Sequence, residues 1–333
     1  MKKFVLLMTS LCSVGIFGVT STQASELNFS VDTVLPDNQR EGSTYFDLDM
    51  TAGQKQTLVT KIKNHSDKEI EVEALIEPAT TNINGVVDYG QTKDTVDDTA
   101  PANLKEIAKA DSQTVKIPAN GSYDYKVTIE MPEKAFDGLI AGGLTFKEVE
   151  EEEKEDETAG GMTIENKFAY SVAVLLREND NSLPSDLKLN KVEADQLNAR
   201  NVIYSYLQNP VAKYMNQLKV DAKVTKQGKS ETLYETTKEG IQMAPNTTMA
   251  FPLRMEGKKL AAGKYTMHIE ASSGSDKWSL EKDFEITSEE AKKYNEKDVS
   301  IEEDNTNLYL MIGIGVIAAL LAIIILLLVK KKK

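Results

Sequence analysis

Apolar and polar residues alternate with a period of two through most of this chain, and no other feature limits its fold as much. Ile70, Val72, Ala74 and Ile76 alternate with Glu71, Glu73, Leu75 and Glu77. Tyr123, Tyr125, Val127, Ile129 and Met131 alternate with Asp124, Lys126, Thr128 and Glu130. Phe168, Tyr170, Val172, Val174 and Leu176 repeat the pattern. Successive side chains on a strand point to opposite faces, so each run offers one face to a core and one to water. Turn-forming clusters separate the runs: Asn64-His65-Ser66-Asp67 before Ile70, and Pro118-Ala119-Asn120-Gly121 before Tyr123. Short strands divided by polar turns predict a β-sandwich over residues 27–178.

The polar stretch from Asn179 to Pro184 reads as a linker, and a second β pattern follows it. Leu218, Val220, Ala222 and Val224 alternate with Lys219, Asp221 and Lys223, and Tyr265, Met267, Ile269 and Ala271 alternate with Thr266, His268 and Glu270. About seven strands fit between Leu187 and Thr287, the size of an immunoglobulin-like unit. Gly263-Lys264-Tyr265 matches the turn-then-tyrosine corner of such units. The expected fold class is therefore all-β: two immunoglobulin-like sandwiches in tandem, 27–178 and 185–287. Residues 288–307 are polar and charged, with helical potential around Glu289 to Tyr294, and read as a stalk.

Both ends carry address signals. Lys2 and Lys3 precede an apolar stretch, and small residues surround Ala24, which predicts a cleaved signal peptide over 1–24. Residues 308–329 form an unbroken apolar run, followed by Lys330 to Lys333. At about 1.5 Å per residue the run covers roughly 33 Å, enough for a transmembrane helix. The basic tail 330–333 should stay in the cytoplasm. The expected localisation is a single-pass cell-membrane protein with an extracellular N-terminal region. Glu303 to Leu308 reads EDNTNL and offers no sortase signal.

The single cysteine, Cys12, lies in the leader, so the mature chain holds no disulfide, thiolate nucleophile or cysteine-bound zinc. Two of the 39 basic residues sit in the leader and four in the tail, leaving 33 against 52 acids and a net charge near −19 between them. Such a surface repels nucleic acid and anionic polymers. An extracellular ligand would have to be gripped by hydrogen bonds and stacking.

Two segments interrupt the first sandwich. Ala79 to Ser112 is long for a hairpin connection, and connections of this length carry function or structure of their own. Leu104 to Ala108 suits one short helix. Thr80, Thr81, Asn82, Asn84, Asp88 and Tyr89 place a dense set of donors and acceptors beside an aromatic ring. These groups suit neutral, polar ligands such as glycans and peptides. The same stretch also suits an Asx-rich structural turn around Asn84-Gly85. The second segment, Glu148 to Thr158, is dominated by acids and reads as a solvated hairpin tip.

Catalytic signatures are absent from the sequence. It contains no HExxH, GxSxG or phosphate-binding loop. His65 falls in a turn and His268 on a polar strand face. Asp47 and Asp49 share one face of a strand, which reads as a solvated face rather than a glycosidase pair. Trp278 alternates with Leu280 and belongs to the core. Gly142-Gly143 inside a strand signals a bulge or a close backbone approach. The reading is a non-enzymatic protein with no cofactor and no metal.

Three blocks then point to a family: FSVDTVLPDNQREGSTYFDLDMTAGQKQTLVTKIKNHSDKEIEVEALIEPATTNINGVVDYG from Phe29 to Gly90, FDGLIAGGLTF from Phe136 to Phe146, and MAPNTTMAFPL with KLAAGKYTMHIEA and the Trp278 strand. In order and over nearly the whole mature chain, the sequence resembles the WxL-interacting proteins of low-GC Gram-positive bacteria. The resemblance implies a peptidoglycan-binding first domain and a host-binding second domain, and within the first the local chemistry makes Thr80, Thr81, Asn82, Asn84, Asp88 and Tyr89 the candidate peptidoglycan-binding residues. It further implies complexes with WxL-domain surface proteins, and host extracellular matrix proteins as further partners. The resulting expectation is a scaffold or adhesion protein, with an extracytoplasmic assembly chaperone for partner proteins as the alternative. Partner contact is expected at a strand edge of the second domain. Its wet faces, marked by Lys219, Asp221 and Lys223 and by His268 and Glu270, would lose solvation if covered.

Overall fold

The computed structural model describes residues 28–92, 97–149 and 168–302, with isolated positions 311, 313, 314, 316, 317, 320 and 321. In chain order the first strands are β1 (Phe29–Val34), β2 (Phe46–Asp49), β3 (Lys55–Asn64), β4 (Ile70–Pro78), β5 (Thr80–Thr81) and β6 (Val87–Asp88). Then follow β7 (Ala108–Ala110), β8 (Thr114–Ile117), β9 (Ser122–Glu130), β10 (Leu139–Glu148) and β11 (Ala169–Arg177). One sheet has the order β1-β3-β9-β7 and faces another of order β2-β11-β10-β4-β8. Strands β5 and β6 make a separate two-stranded hairpin. Pairing is antiparallel except between β2 and β11, which run parallel.

The alternation read from the sequence builds this core. β9 buries Tyr125, Val127 and Ile129 and leaves Asp124 and Lys126 in water. Tyr125 meets Phe146 edge-on at 5.4 Å, and its hydroxyl donates to Ser112 O at 2.9 Å. Burial pushes that phenol up to about 12. β4 begins in the expected phase, with Ile70, Val72 and Ala74 buried, and then leaves it. Leu75 and Glu77 are also buried, while Ile76 is only partly covered. A short helix, α1 (Leu104–Ile107), lies over the outer face there, and Lys105 Nζ meets the buried Glu77 carboxylate at 2.9 Å. A buried carboxylate requires such a partner. The outer face of this sheet end is therefore covered rather than wet.

The second sandwich contains β12 (Lys188–Leu197), β13 (Arg200–Asn209), β14 (Met215–Lys226), β15 (Thr232–Met243), β16 (Thr247–Arg254), β17 (Gly263–Ser273) and β18 (Asp276–Ile286). Its sheets have the orders β12-β13-β16 and β15-β14-β17-β18. Leu218, Val220, Ala222 and Val224 are fully buried beside Met267 and Ile269. Each large side chain buried in this way stabilises the fold by about 1.5–3 kcal/mol. Tyr265 is buried, stacks on Phe284 at 5.6 Å and donates its hydroxyl to Ala261 O at 2.8 Å, so the expected corner is formed. Trp278 is partly buried and packs against this core.

The residues expected as a stalk begin instead as part of the second sandwich. Thr287 caps the helix α2 (Ser288–Lys297) in a reciprocal capping box with Glu290. Ala291 is buried in the core, and Tyr294 packs against it. Asn295 exchanges two 2.8 Å bonds with the backbone of Leu260, and Asp298 accepts from Asn201 N at 2.7 Å. Burial opposes the Asp298 charge, but hydrogen bonds from Ser300 and Asn201 outweigh it and hold the carboxyl below its usual range. The helical potential around Glu289 to Tyr294 was legible, but the apolar spacing from Ala291 to Tyr294 is too short to show in the sequence that the helix docks.

The expected single-pass anchor over 308–329, and with it the cell-membrane localisation, is corrected. Among the described residues no helix is long and apolar enough to cross a membrane. Most of that segment lies outside the described residues, as do the leader 1–24, the tail 330–333 and the acidic run from residue 150 onwards.

Candidate binding site at the junction of the two sandwiches

The long insertion after β4 bridges the two units. Its hairpin turn is built by Asn82, whose Oδ1 accepts from Asn84 N at 2.9 Å and Val86 N at 3.2 Å. Gly85 closes the turn with φ of +66°, and a Cβ there would lie 2.8 Å from Ile241 of β15. Only glycine meets both demands. The hairpin then bonds to the second sandwich. Gln242 N donates to Gly85 O at 2.9 Å, and Ala244 N donates to Thr81 Oγ1 at 2.9 Å. Thr81 Oγ1 also lies 2.7 Å from Thr247 Oγ1, and both residues are buried. Tyr89 and Tyr214 share a 2.9 Å bond between hydroxyls, and burial pushes both phenols upward.

The glycine pair in β10 makes room for the insertion. The register of β10 with β11 and β4 is unbroken, so no bulge is present. A Cβ on Gly142 would lie 2.3 Å from Leu104 Cδ2, and one on Gly143 would lie 2.6 Å from Tyr89 Cβ. Further bonds surround the junction. Leu139 N donates to Ala212 O at 2.8 Å, Asn246 Nδ2 to Thr99 Oγ1 at 3.0 Å, and Gln208 Nε2 to Asp97 Oδ2. The linker is pinned as well. Asp180 pairs with Arg40 at 2.6 Å, and Leu183 O accepts from Lys213 Nζ at 2.8 Å.

A cavity of about 540 Å³ opens beside the hairpin. Thr80, Thr81 and Asn82 line it from the first unit, with Asp97 from the same insertion. Tyr206, Asn246, Thr247 and Thr248 line it from the second. Burial opposes the Asp97 charge, but hydrogen bonds from Thr99 and Gln208, with Lys188 nearby, hold its carboxyl below the usual range. Burial and the acceptor Glu193, 2.7 Å away, push the Tyr206 phenol upward and fix it as a donor. Neutral donors and acceptors beside a ring, with one carboxylate, suit an uncharged polar ligand such as a glycan.

The six residues singled out in the sequence divide between places. Thr80, Thr81 and Asn82 come together on this cavity. Tyr89 lines a second cleft of about 870 Å³, with Asp47, Arg177 and Tyr214. Asn84 lines a third of about 220 Å³, between β15 and β16. Asp88 lines none of these three, and its Oδ1 accepts from Gly90 N at 2.8 Å. Asp47 departs from the expected solvated face: it is 9% exposed and pairs with Arg177 at 2.6 Å. Asp49 stays exposed and meets Arg40 at 3.2 Å. On the wet faces of the second unit, Lys219 pairs with Glu239 at 2.9 Å and His268 with Glu281 at 2.8 Å. Tyr206 and Asn246 to Thr248 were missed as site residues. The polar cluster Pro245-Asn246-Thr247-Thr248, which interrupts the period of two, was their one signal.

The family model of the WxL Interacting Protein peptidoglycan binding domain matches residues 29–148, and that of its host binding domain matches residues 159–296. The second match includes β11, although that strand pairs with β2 and β10 of the first sandwich. A search of curated proteins finds no match. Among solved structures the chain is similar to the E. coli chaperone DraB, at 14% identity over 78% of this chain and 98% of that one, with a TM-score of 0.28. It is also similar to the CsuC-CsuE chaperone-tip adhesion subunit complex of Acinetobacter baumannii, at 9% identity over 68% and 90%, with a TM-score of 0.31. A PapD-like domain of human CEP192 matches at 9% identity over 52% and 100%, with a TM-score of 0.28. None of these likenesses is close enough to assign a role.

Proposed function

The chain belongs to the WxL-interacting protein family, and from that membership we propose a non-enzymatic scaffold that binds peptidoglycan at the cell surface. The first sandwich and its insertion hold the wall polymer. The second sandwich, read as immunoglobulin-like, holds a WxL-domain surface protein or a host extracellular component. One observation supports this reading most: the junction cavity gathers neutral hydrogen-bonding groups and the Tyr206 ring in a strongly acidic protein. Charge attraction cannot recruit an anionic polymer to such a surface, whereas hydrogen bonds and ring contact recruit a glycan.

The test is co-sedimentation of the chain with purified peptidoglycan, comparing wild type with Asn82→Ala combined with Tyr206→Ala. The expected result is binding by the wild type and a loss of about tenfold in the variant, the effect of one or two hydrogen bonds. A wild-type chain that stays in the supernatant contradicts the function. A variant of unchanged melting temperature that still binds fully contradicts the site.

A further inference from the structure

An open sheet edge runs along the second cleft. β10 pairs with β11 from Ala169 to Arg177, but on the other side β2 covers only Val174 to Arg177. Among the described residues, Ala169 to Ala173 have no strand on that side. One bond fixes which groups face outward: Met50 N donates to Arg177 O at 2.9 Å on the β2 side. The N–H and C=O of a strand residue point to the same side, and the side alternates along the strand. The register with β10 runs without a shift, so Ala169 and Ser171 turn both groups to the open side.

Three other edges among the described residues are guarded. β15 carries Glu235, Lys238 and Glu239, β18 carries Lys277, Glu281 and Lys282, and β16 carries Pro252. Charges and proline on an edge block the addition of another strand. Ala169-Tyr170-Ser171-Val172-Ala173 has neither. The sandwich is also open there, because β1 is the edge of the facing sheet. Val31, Tyr170 and Val172 pack on the core only partly buried, and all three line the cleft. The seam thus combines unpaired backbone groups with apolar surface that one more strand would cover.

We propose that this edge seats an extended segment of a partner protein, added as a strand beside Ala169 to Ala173. Backbone groups at strand spacing are satisfied in full by another extended backbone, which selects a polypeptide over a glycan or a lipid. The segment is uncharged and about five residues long, with apolar side chains at alternate positions directed between the sheets. Those side chains meet Val31, Tyr170 and Val172. The site lies in the second cleft and is independent of the peptidoglycan reading, which uses the junction cavity.

The test uses the full chain and a seven-residue peptide alternating threonine and valine, with the same peptide N-methylated at every amide, which removes the donors of both its edges, as its control. Amide exchange at Ala169 and Ser171 reports the seat. The unmethylated peptide should slow exchange at both positions, and the methylated one should not. Ser171→Pro removes an outward N–H and should weaken binding about tenfold, whereas Ser171→Ala should bind as wild type. If Ser171→Pro does not fold, Ala169→Pro makes the same test one outward residue away. Equal binding of the methylated peptide, or protection confined to β15 or β18, overturns the proposal. Self-association that protects 169–173 without peptide assigns the edge to a second copy and overturns the partner as occupant.

Discussion

The two sandwiches obey the same alternation in β9 and β14 but break it in different places, the second in β13, where Asn201 to Ser205 are buried in succession. Leu218, Val220, Ala222 and Val224 of β14 are buried in strict alternation with partly or fully exposed charged residues. In the first sandwich the alternation fails at Leu75 to Glu77 and at Gly142-Gly143. Both failures lie under the insertion, where α1 and Tyr89 press on the outer face of the sheet. A break in the period of two is thus a trace of a covering layer. In this molecule the layer is also the bridge to the second sandwich.

The largest expected effect tests that contrast directly. Gly142→Ala drives a Cβ to 2.6 Å from the backbone oxygen of Glu77 as well as into Leu104. Overpacking of this kind should cost about 3 kcal/mol, read from the denaturation midpoint. Gly240→Ala in β15 is the comparison, because a Cβ there meets nothing within 4 Å and only its φ of +71° is unfavourable. It should cost about 1–2 kcal/mol. Equal losses would show that the insertion does not press on the first sheet.

How much was legible follows from the same contrast. Strands with one wet face, such as β9 and β14, were readable because burial and period coincide. The unusual Gly142-Gly143 pair signalled a close approach, but the sequence could not say that Leu104 and Tyr89 make it. Glu77 reads as a solvated residue because a single sequence shows its charge and not Lys105, which neutralises it from the far side of a loop. The junction cavity was half legible. Thr80, Thr81 and Asn82 stood out by local density, whereas Tyr206 and Asn246 reach the same cavity only through the tertiary fold.

Smaller effects sharpen the role of the bridge. Thr81→Val keeps shape but leaves Ala244 N–H buried without its acceptor. It should destabilise the chain by about 1–3 kcal/mol in equilibrium unfolding. Tyr89→Phe removes only the bond between hydroxyls to Tyr214 and should cost about 1 kcal/mol, measured in the same way.

The smallest effect is set by pH. The Asp97 carboxyl is held below its ordinary 3.8 by bonds that include Gln208 of the second sandwich. A lowered folded value means its stabilisation is present above the unfolded value and disappears as pH falls through the folded one. The side-chain amide signal of Gln208 should therefore move on acidification below the usual aspartate range. In Asp97→Asn that movement should vanish.

The bridge itself is tested most directly by amide exchange in the intact chain at Gln242 and Ala244. Both amides belong to the second sandwich, and both acceptors, Gly85 O and Thr81 Oγ1, belong to the insertion of the first. The structure predicts strong protection at both positions in the wild type and accelerated exchange at Ala244 in Thr81→Val. Exchange at solvent-exposed rates in the wild type would contradict a junction held by the insertion.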